Sequence, residues 1–117
     1  MKKLRGIDLD TGDFFYKDDS DYSKTVIYKI ICKDTTITES YGGHSVNLYQ
    51  RIAKHKSSCN NPNSRGYNIY VYQFIRENGG WDNWDVVWQY NYPCNNKIEA
   101  LIEETRFISE NNCKLNL

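Results

Sequence analysis

The run TVIYKIIC, Thr25 to Cys32, is the most β-committed stretch of the chain, and the residues after it fix its partner. β-Branched and aromatic side chains fit a pleated, half-buried surface. The polar tetrapeptide KDTT that follows reads as a turn, so the next run, ITESYGG, is predicted to fold back as the second strand of a hairpin. Strands joined by so short a connection must pair antiparallel. Val26, Tyr28 and Ile30 alternate onto one face of the first strand. A third alternating, aromatic segment, WDNWDVVWQYNY, is predicted to add a strand.

The remaining periodic segments are helical. Gly42-Gly43 reads as a turn, and Asn47 is a suitable N-cap for a helix through LYQRIAKH. Leu48 and Ile52 form its buried stripe, while Arg51 and His55, four residues apart, project side by side on the adjoining face. SSCNNPNSRG has the composition of a loop, and NIYVYQFIREN is predicted helical because ENGG after it is a helix stop. The clearest helix is NKIEALIEETRFISENN, with Ile98, Leu101, Ile102, Thr105 and Ile108 as its expected core stripe. On that wheel Glu104 lies at the stripe's margin beside Ala100, and Glu99 and Glu103 point toward solvent. The order hairpin, helix, helix, strand, helix, without internal repeat, predicts an α/β (α+β) domain: a three-stranded antiparallel sheet flanked by helices. Residues 1–24 mix KK and R with DLDTGD and KDDSD and are expected to be a polar, irregular arm, leaving 25–117 as the folded domain.

A chain of 117 residues suits one domain able to bury a modest core unaided. No apolar run approaches the roughly 20 residues of a membrane helix, and the N-terminus lacks the apolar block of a secretion signal, so a soluble intracellular protein, of cytoplasm or nucleus and without a membrane partner, is expected. Cys32, Cys59, Cys94 and Cys113 are widely spread with no C-x-x-C pair; reduced thiols are expected rather than a zinc site or two disulfides. Fifteen basic and fifteen acidic residues cancel, which argues against a generic polyanion binder, but they are segregated. From Tyr41 to Arg76 there is no Asp or Glu, while Arg51, Lys54, Lys56, Arg65 and Arg76 fall inside. That window predicts a local phosphate-facing surface, with Lys54, Lys56, Arg65 and Arg76 as DNA contacts.

In order along the chain stand Val26-Ile27-Tyr28, Tyr41-Gly42-Gly43, Arg51, His55, Glu99-Ala100 with Glu104, and Asn116 in the closing KLN. With these residues the segment from about Thr25 to Asn116 resembles a GIY-YIG nuclease domain. Val26 stands where the family has its first glycine, and Gly42 where it has a β-branched residue. The resemblance implies a metal-dependent endonuclease that hydrolyses DNA phosphodiesters with one divalent ion, Mg²⁺ or Mn²⁺ in its place; the alternative is a catalytically silent nucleic-acid-binding module that keeps the fold.

The chemistry suits those residues. Glu104, the implied metal ligand, offers the hard oxygen that Mg²⁺ takes while keeping several waters. Arg51 can give bidentate hydrogen bonds to the scissile phosphate. Tyr28 resembles the family's general base, but a free phenol with a pKa near ~10 needs help to act at neutral pH. His55, titrating near neutrality when unperturbed, is the rival base. Tyr41 is implied to orient water or phosphate, His44 to contact phosphate and Asn116 to support the metal helix or a water. Target choice in the family comes from appended domains or insertions, and no zinc finger or helix-turn-helix is present here to read a sequence, so a dimer, an additional DNA-recognition domain or a partner is the expectation for this chain. Tyr67, Tyr70, Tyr72 and Phe74 suit core packing more than base stacking.

Overall fold

A computed structural model describes residues 4–7, 14–16 and 20–116. Half of the polar arm expected over 1–24 lies outside those residues; within it, β1 (Leu4–Ile7) and β2 (Phe14–Tyr16) pair antiparallel, and Tyr22–Lys24 forms a 3-10 turn. The domain proper continues as β3 (Val26–Cys32), β4 (Tyr41–Ser45), α1 (Leu48–Asn60), α2 (Tyr70–Glu77), β5 (Trp84–Asn91) and α3 (Lys97–Asn111). The three longer strands form the expected antiparallel sheet, in the order β4-β3-β5, with β3 central.

Both faces of β3 are covered, so its side chains divide between two cores. Tyr28, Ile30 and Cys32 pack with Cys59 of α1, with Val71, Tyr72 and Ile75 of α2, and with Trp84 and Leu115. Ile27, on the opposite face, packs with Phe107 of α3 and Cys113. The register with β5 shifts between Ile27, opposite Tyr90, and Tyr28, opposite Trp88, so Gln89 is an extra residue beside Tyr28. Bulges of this kind re-aim a side chain and recur beside functional sites.

The second strand begins later than predicted. Ile37 closes a turn by donating its N–H to the Asp34 carbonyl, and β4 starts only at Tyr41. Gly42 and Gly43 are not a turn; they are paired within the sheet, opposite Lys29 and Tyr28. Their lack of a side chain serves close approach. A Cβ at Gly43 would lie 2.5 Å from the Tyr28 hydroxyl oxygen, and one at Gly42 would lie 2.9 Å from the Phe107 ring.

Asn47 caps α1 as expected, accepting from the Gln50 N–H at 3.1 Å. The helix runs on through Asn60, absorbing residues predicted as loop, because Cys59 belongs to the core. α3 is capped by Asn96, whose side chain accepts from the Glu99 N–H at 3.0 Å while Glu99 reaches back to the Asn95 N–H at 2.7 Å. It ends at Asn112, which takes the left-handed conformation that stops a helix.

The face that α3 buries differs from the predicted stripe. Ile98 and Ile102 are 69 % and 65 % exposed, and Leu101 is exposed as well. The inward residues are Ala100, Glu103 and Phe107, with Ile108 half-buried against them. Glu103, expected in solvent, is tolerated inside because its oxygens are satisfied: Tyr90 donates to Oε2 at 2.6 Å and Arg106 to Oε1 at 2.8 Å. The small Ala100 lets the helix approach the sheet, and Phe107 fills the space over Gly42 that a side chain there would take.

Truncating Phe107 to Ala therefore should lower stability by about 3–5 kcal/mol, the range for a buried aromatic. Ile102→Gln should change it by no more than about 0.5 kcal/mol, as at an unremarkable surface position. Urea midpoints of the two variants measure the difference; equal losses would mean that α3 packs by its apolar stripe after all.

Candidate active site

The α1 side of the sheet gathers Tyr28, Tyr41, Arg51 and His55 of the residues predicted for catalysis, and Glu104 joins from α3. Tyr28 points from central β3 into the core between the sheet and α1, where it is fully buried. A buried phenol needs partners for its hydroxyl. The Tyr28 hydroxyl lies 2.7 Å from Nε2 of His55 and 3.4 Å from Nε of Arg51, which donates to it. Arg51 and His55 come from successive turns of α1, so the i, i+4 spacing read from sequence delivers both to one phenol. Tyr41, at the start of β4, closes the group: its ring meets His55 edge-on at 5.4 Å and lies 6.5 Å from that of Tyr28.

His55 has no exposed surface. Its second nitrogen, Nδ1, is 2.7 Å from the hydroxyl of Tyr72 on α2, and Trp81 stacks against its ring. Burial, assisted by the Arg51 charge, pulls its pKa down to about 3, so the imidazole is neutral through the physiological range. Burial also raises the Tyr28 and Tyr41 phenols above their ordinary value, with Arg51 opposing in each case. Both candidate bases thus share one hydrogen bond.

Glu104 approaches from α3. Its Oε1 accepts from the His44 backbone N–H at 2.9 Å and sits 2.9 Å from His44 Nδ1. His44 therefore holds the carboxylate from the end of β4, where sequence reasoning had expected a phosphate contact. Asn116 acts on the same strand: its Oδ1 accepts from the Gly42 N–H at 2.8 Å and its Nδ2 donates to the Gly42 carbonyl at 2.7 Å. Together with the Leu115 N–H bonded to the Ser40 carbonyl, this clips the tail along β4 next to Tyr41.

The predicted basic contacts separate. Lys54 and Lys56 are exposed on α1, and Arg65 is exposed in the loop after it. Arg76 is committed internally: it donates to the carbonyls of Cys59 at 2.9 Å and Tyr67 at 2.6 Å, and its guanidinium lies 3.7 Å over the Tyr67 ring. Its role is to bind the α1–α2 connection, which corrects its assignment to the DNA surface. Among the described residues no cluster of three or more His, Cys, Asp or Glu forms a metal site, and the Glu104 charge opposes ionisation of Tyr28 and Tyr41.

A scan against protein families matches residues 24–116 to the GIY-YIG catalytic domain. The chain belongs to the GIY-YIG nuclease family. No curated protein and no solved structure gives a significant match. In this GIY-YIG domain the four cysteines are unbridged, and Cys32, Cys59 and Cys113 are buried. Among the described residues no helix is long and apolar enough to cross a membrane.

Sequence reasoning missed Tyr72 and Trp81, which surround His55 in this member of the family. Tyr72 was visible only as one of several aromatics. The available signal was its place on the buried stripe of α2, between Val71 and Ile75, where a hydroxyl must find a partner.

His55 makes stability depend on pH with a definite sign. The unfolded chain binds its proton near the ordinary 6.5, and the native state only near about 3, so between those values the unfolded state holds more protons. Stability rises with pH across the window and is lost as pH falls through it, by up to about 1.4 kcal/mol per pH unit. Denaturant midpoints between about pH 6.5 and 5, above the main carboxylate range, should show a slope that becomes shallower in His55→Gln. Parallel slopes for the two proteins would mean that His55 binds its proton equally in the native and unfolded states.

Proposed function

We propose that this GIY-YIG domain is a metal-dependent endonuclease that hydrolyses DNA phosphodiester bonds. The observation that carries the reading is the Tyr28 hydroxyl set between a neutral imidazole nitrogen and an arginine. Tyr28 and His55 then act in series. The Tyr28 proton passes to His55 Nε2, and the phenolate oxygen, held by Arg51, takes a proton from the attacking water. The water oxygen bonds to phosphorus, the bond to the leaving deoxyribose oxygen breaks, and that oxygen is protonated from solvent. Arg51 is on hand for the charge that gathers on the phosphate, where fixed donors contribute most.

The donor set fits a hard cation. Both hydrogen bonds to Glu104 fall on Oε1, so Oε2 is the oxygen available to an ion that needs one carboxylate and keeps its waters. Mg²⁺, or Mn²⁺ in its place, would supply Lewis-acid charge for the phosphate and the leaving oxygen. His44 orients the carboxylate, as outer partners of metal ligands commonly do.

Plasmid nicking in Mg²⁺ should be lost in Glu104→Ala and retained in Glu99→Ala, a half-buried glutamate whose carboxylate serves the helix cap. Glu103 is unsuitable as the control because it is buried in its own ion pair. Tyr28→Phe and Arg51→Ala should each reduce the rate by at least about 100-fold, the order of a lost proton-transfer or charge-stabilising group. Wild-type cutting by Glu104→Ala, or by Tyr28→Phe, would defeat the proposal.

Lys54 follows Arg51 by three residues and shares its side of α1, whereas Lys56 lies more than a third of a turn away. Lys54→Glu should therefore weaken binding of any DNA more than Lys56→Glu, without altering site preference, since phosphate contacts position a protein and do not read bases. Fluorescence anisotropy of the Glu104→Ala protein measures both; equal effects would place DNA away from the Arg51 side of the helix.

A further inference from the structure

The direction of the hydrogen bonds around His55 can be worked out from donor chemistry. Arginine has donors and no acceptor, so Arg51 Nε occupies a lone pair of the Tyr28 oxygen. If His55 Nε2 also donated to that oxygen, the buried Tyr28 hydrogen would have no partner. Tyr28 therefore donates to Nε2 across the 2.7 Å contact, and Nε2 carries no proton. The imidazole is enclosed beside a guanidinium, which keeps it neutral, so its one hydrogen is on Nδ1 and is donated to the Tyr72 oxygen, also at 2.7 Å. Tyr72 is itself buried, so its hydroxyl oxygen is an acceptor shielded from water.

We propose that Tyr72 is a positioning residue that locks His55 in the Nδ1–H tautomer and so keeps Nε2 bare toward the Tyr28 hydroxyl. Which imidazole nitrogen is free is set by the bond that the other makes. Without an acceptor at Tyr72, an Nδ1–H would be buried unpaired. The ring then gains by moving its proton to Nε2, where it donates to Tyr28, and the phenol loses the acceptor for its proton. Tyr72 touches neither substrate nor the reacting oxygen. It acts on the reaction through His55 alone, and in that respect the inference rests on the serial reading of Tyr28 and His55.

The test is a long-range ¹⁵N–¹H NMR correlation on the His55 side chain of the whole metal-free chain near neutral pH. The wild type should show a protonated Nδ1 and a bare Nε2. In Tyr72→Phe, which keeps the ring, the signals should shift toward the Nε2–H form, with the backbone amide spectrum otherwise retained. A wild-type spectrum with the proton on Nε2 overturns the inference without any variant, and so does a Tyr72→Phe spectrum with the tautomer unchanged. Nicking in Mg²⁺ supplies the second readout: Tyr72→Phe should lose at least about ten-fold in rate with DNA affinity unchanged, because only proton transfer is impaired. Should the wild type cut no DNA, the nuclease reading fails while the tautomer measurement still decides the role of Tyr72.

Discussion

A buried hydroxyl with one imidazole and one guanidinium to bond to is the interaction around which this domain is arranged. Tyr28 is on the central strand, its acceptor is on α1, and the next link, Tyr72, is on α2. Three elements distant in sequence are thereby held in one register by polar contacts that none can satisfy alone. Such networks specify a unique arrangement because a misplaced member leaves a desolvated donor or acceptor behind. The surrounding apolar groups, among them Ile30, Cys59, Val71 and Ile75, supply burial without direction.

The same arrangement explains why two residues that look like rival bases in the sequence are partners in space. A histidine four residues after an arginine is legible as a helix face, and its ordinary titration near neutrality makes it the obvious base. Burial removes that property from the resting protein and gives the ring another: a neutral nitrogen placed to accept from the Tyr28 hydroxyl. Sequence alone cannot distinguish these cases, because the difference lies in what covers the ring, here Trp81 and Tyr72 from segments well downstream.

Legibility followed the kind of signal. The hairpin, the aromatic third strand, the caps at Asn47 and the order of motif residues were readable because each depends on neighbours in sequence. The inward face of α3 was not. Counting apolar residues favours Ile98, Leu101 and Ile102, yet the helix meets the sheet over a glycine, and there a small residue and one ring fit better than a row of branched chains. Glu103 was misjudged for a related reason: its partners, Tyr90 and Arg106, decide its burial, and only one of them is local. Charge segregation does not tell an exposed cation from an engaged one: Lys54 and Lys56 are exposed, while Arg76 donates to carbonyls within the fold.

Gly43 carries a consequence for how such a chain can diverge. No turn and no unusual backbone angle requires glycine there; the Tyr28 hydroxyl oxygen, 2.5 Å from where a Cβ would stand, does. The constraint therefore belongs to the tyrosine and disappears with it. While the phenol is kept, position 43 is closed to every other residue unless the strands move apart. Once a smaller residue replaces the phenol, alanine or serine becomes admissible at 43 and nothing selects against it. Decay at the two positions is thus ordered in time, the tyrosine first and the glycine afterwards, so a descendant's residue at 43 records whether its tyrosine was lost recently or long ago.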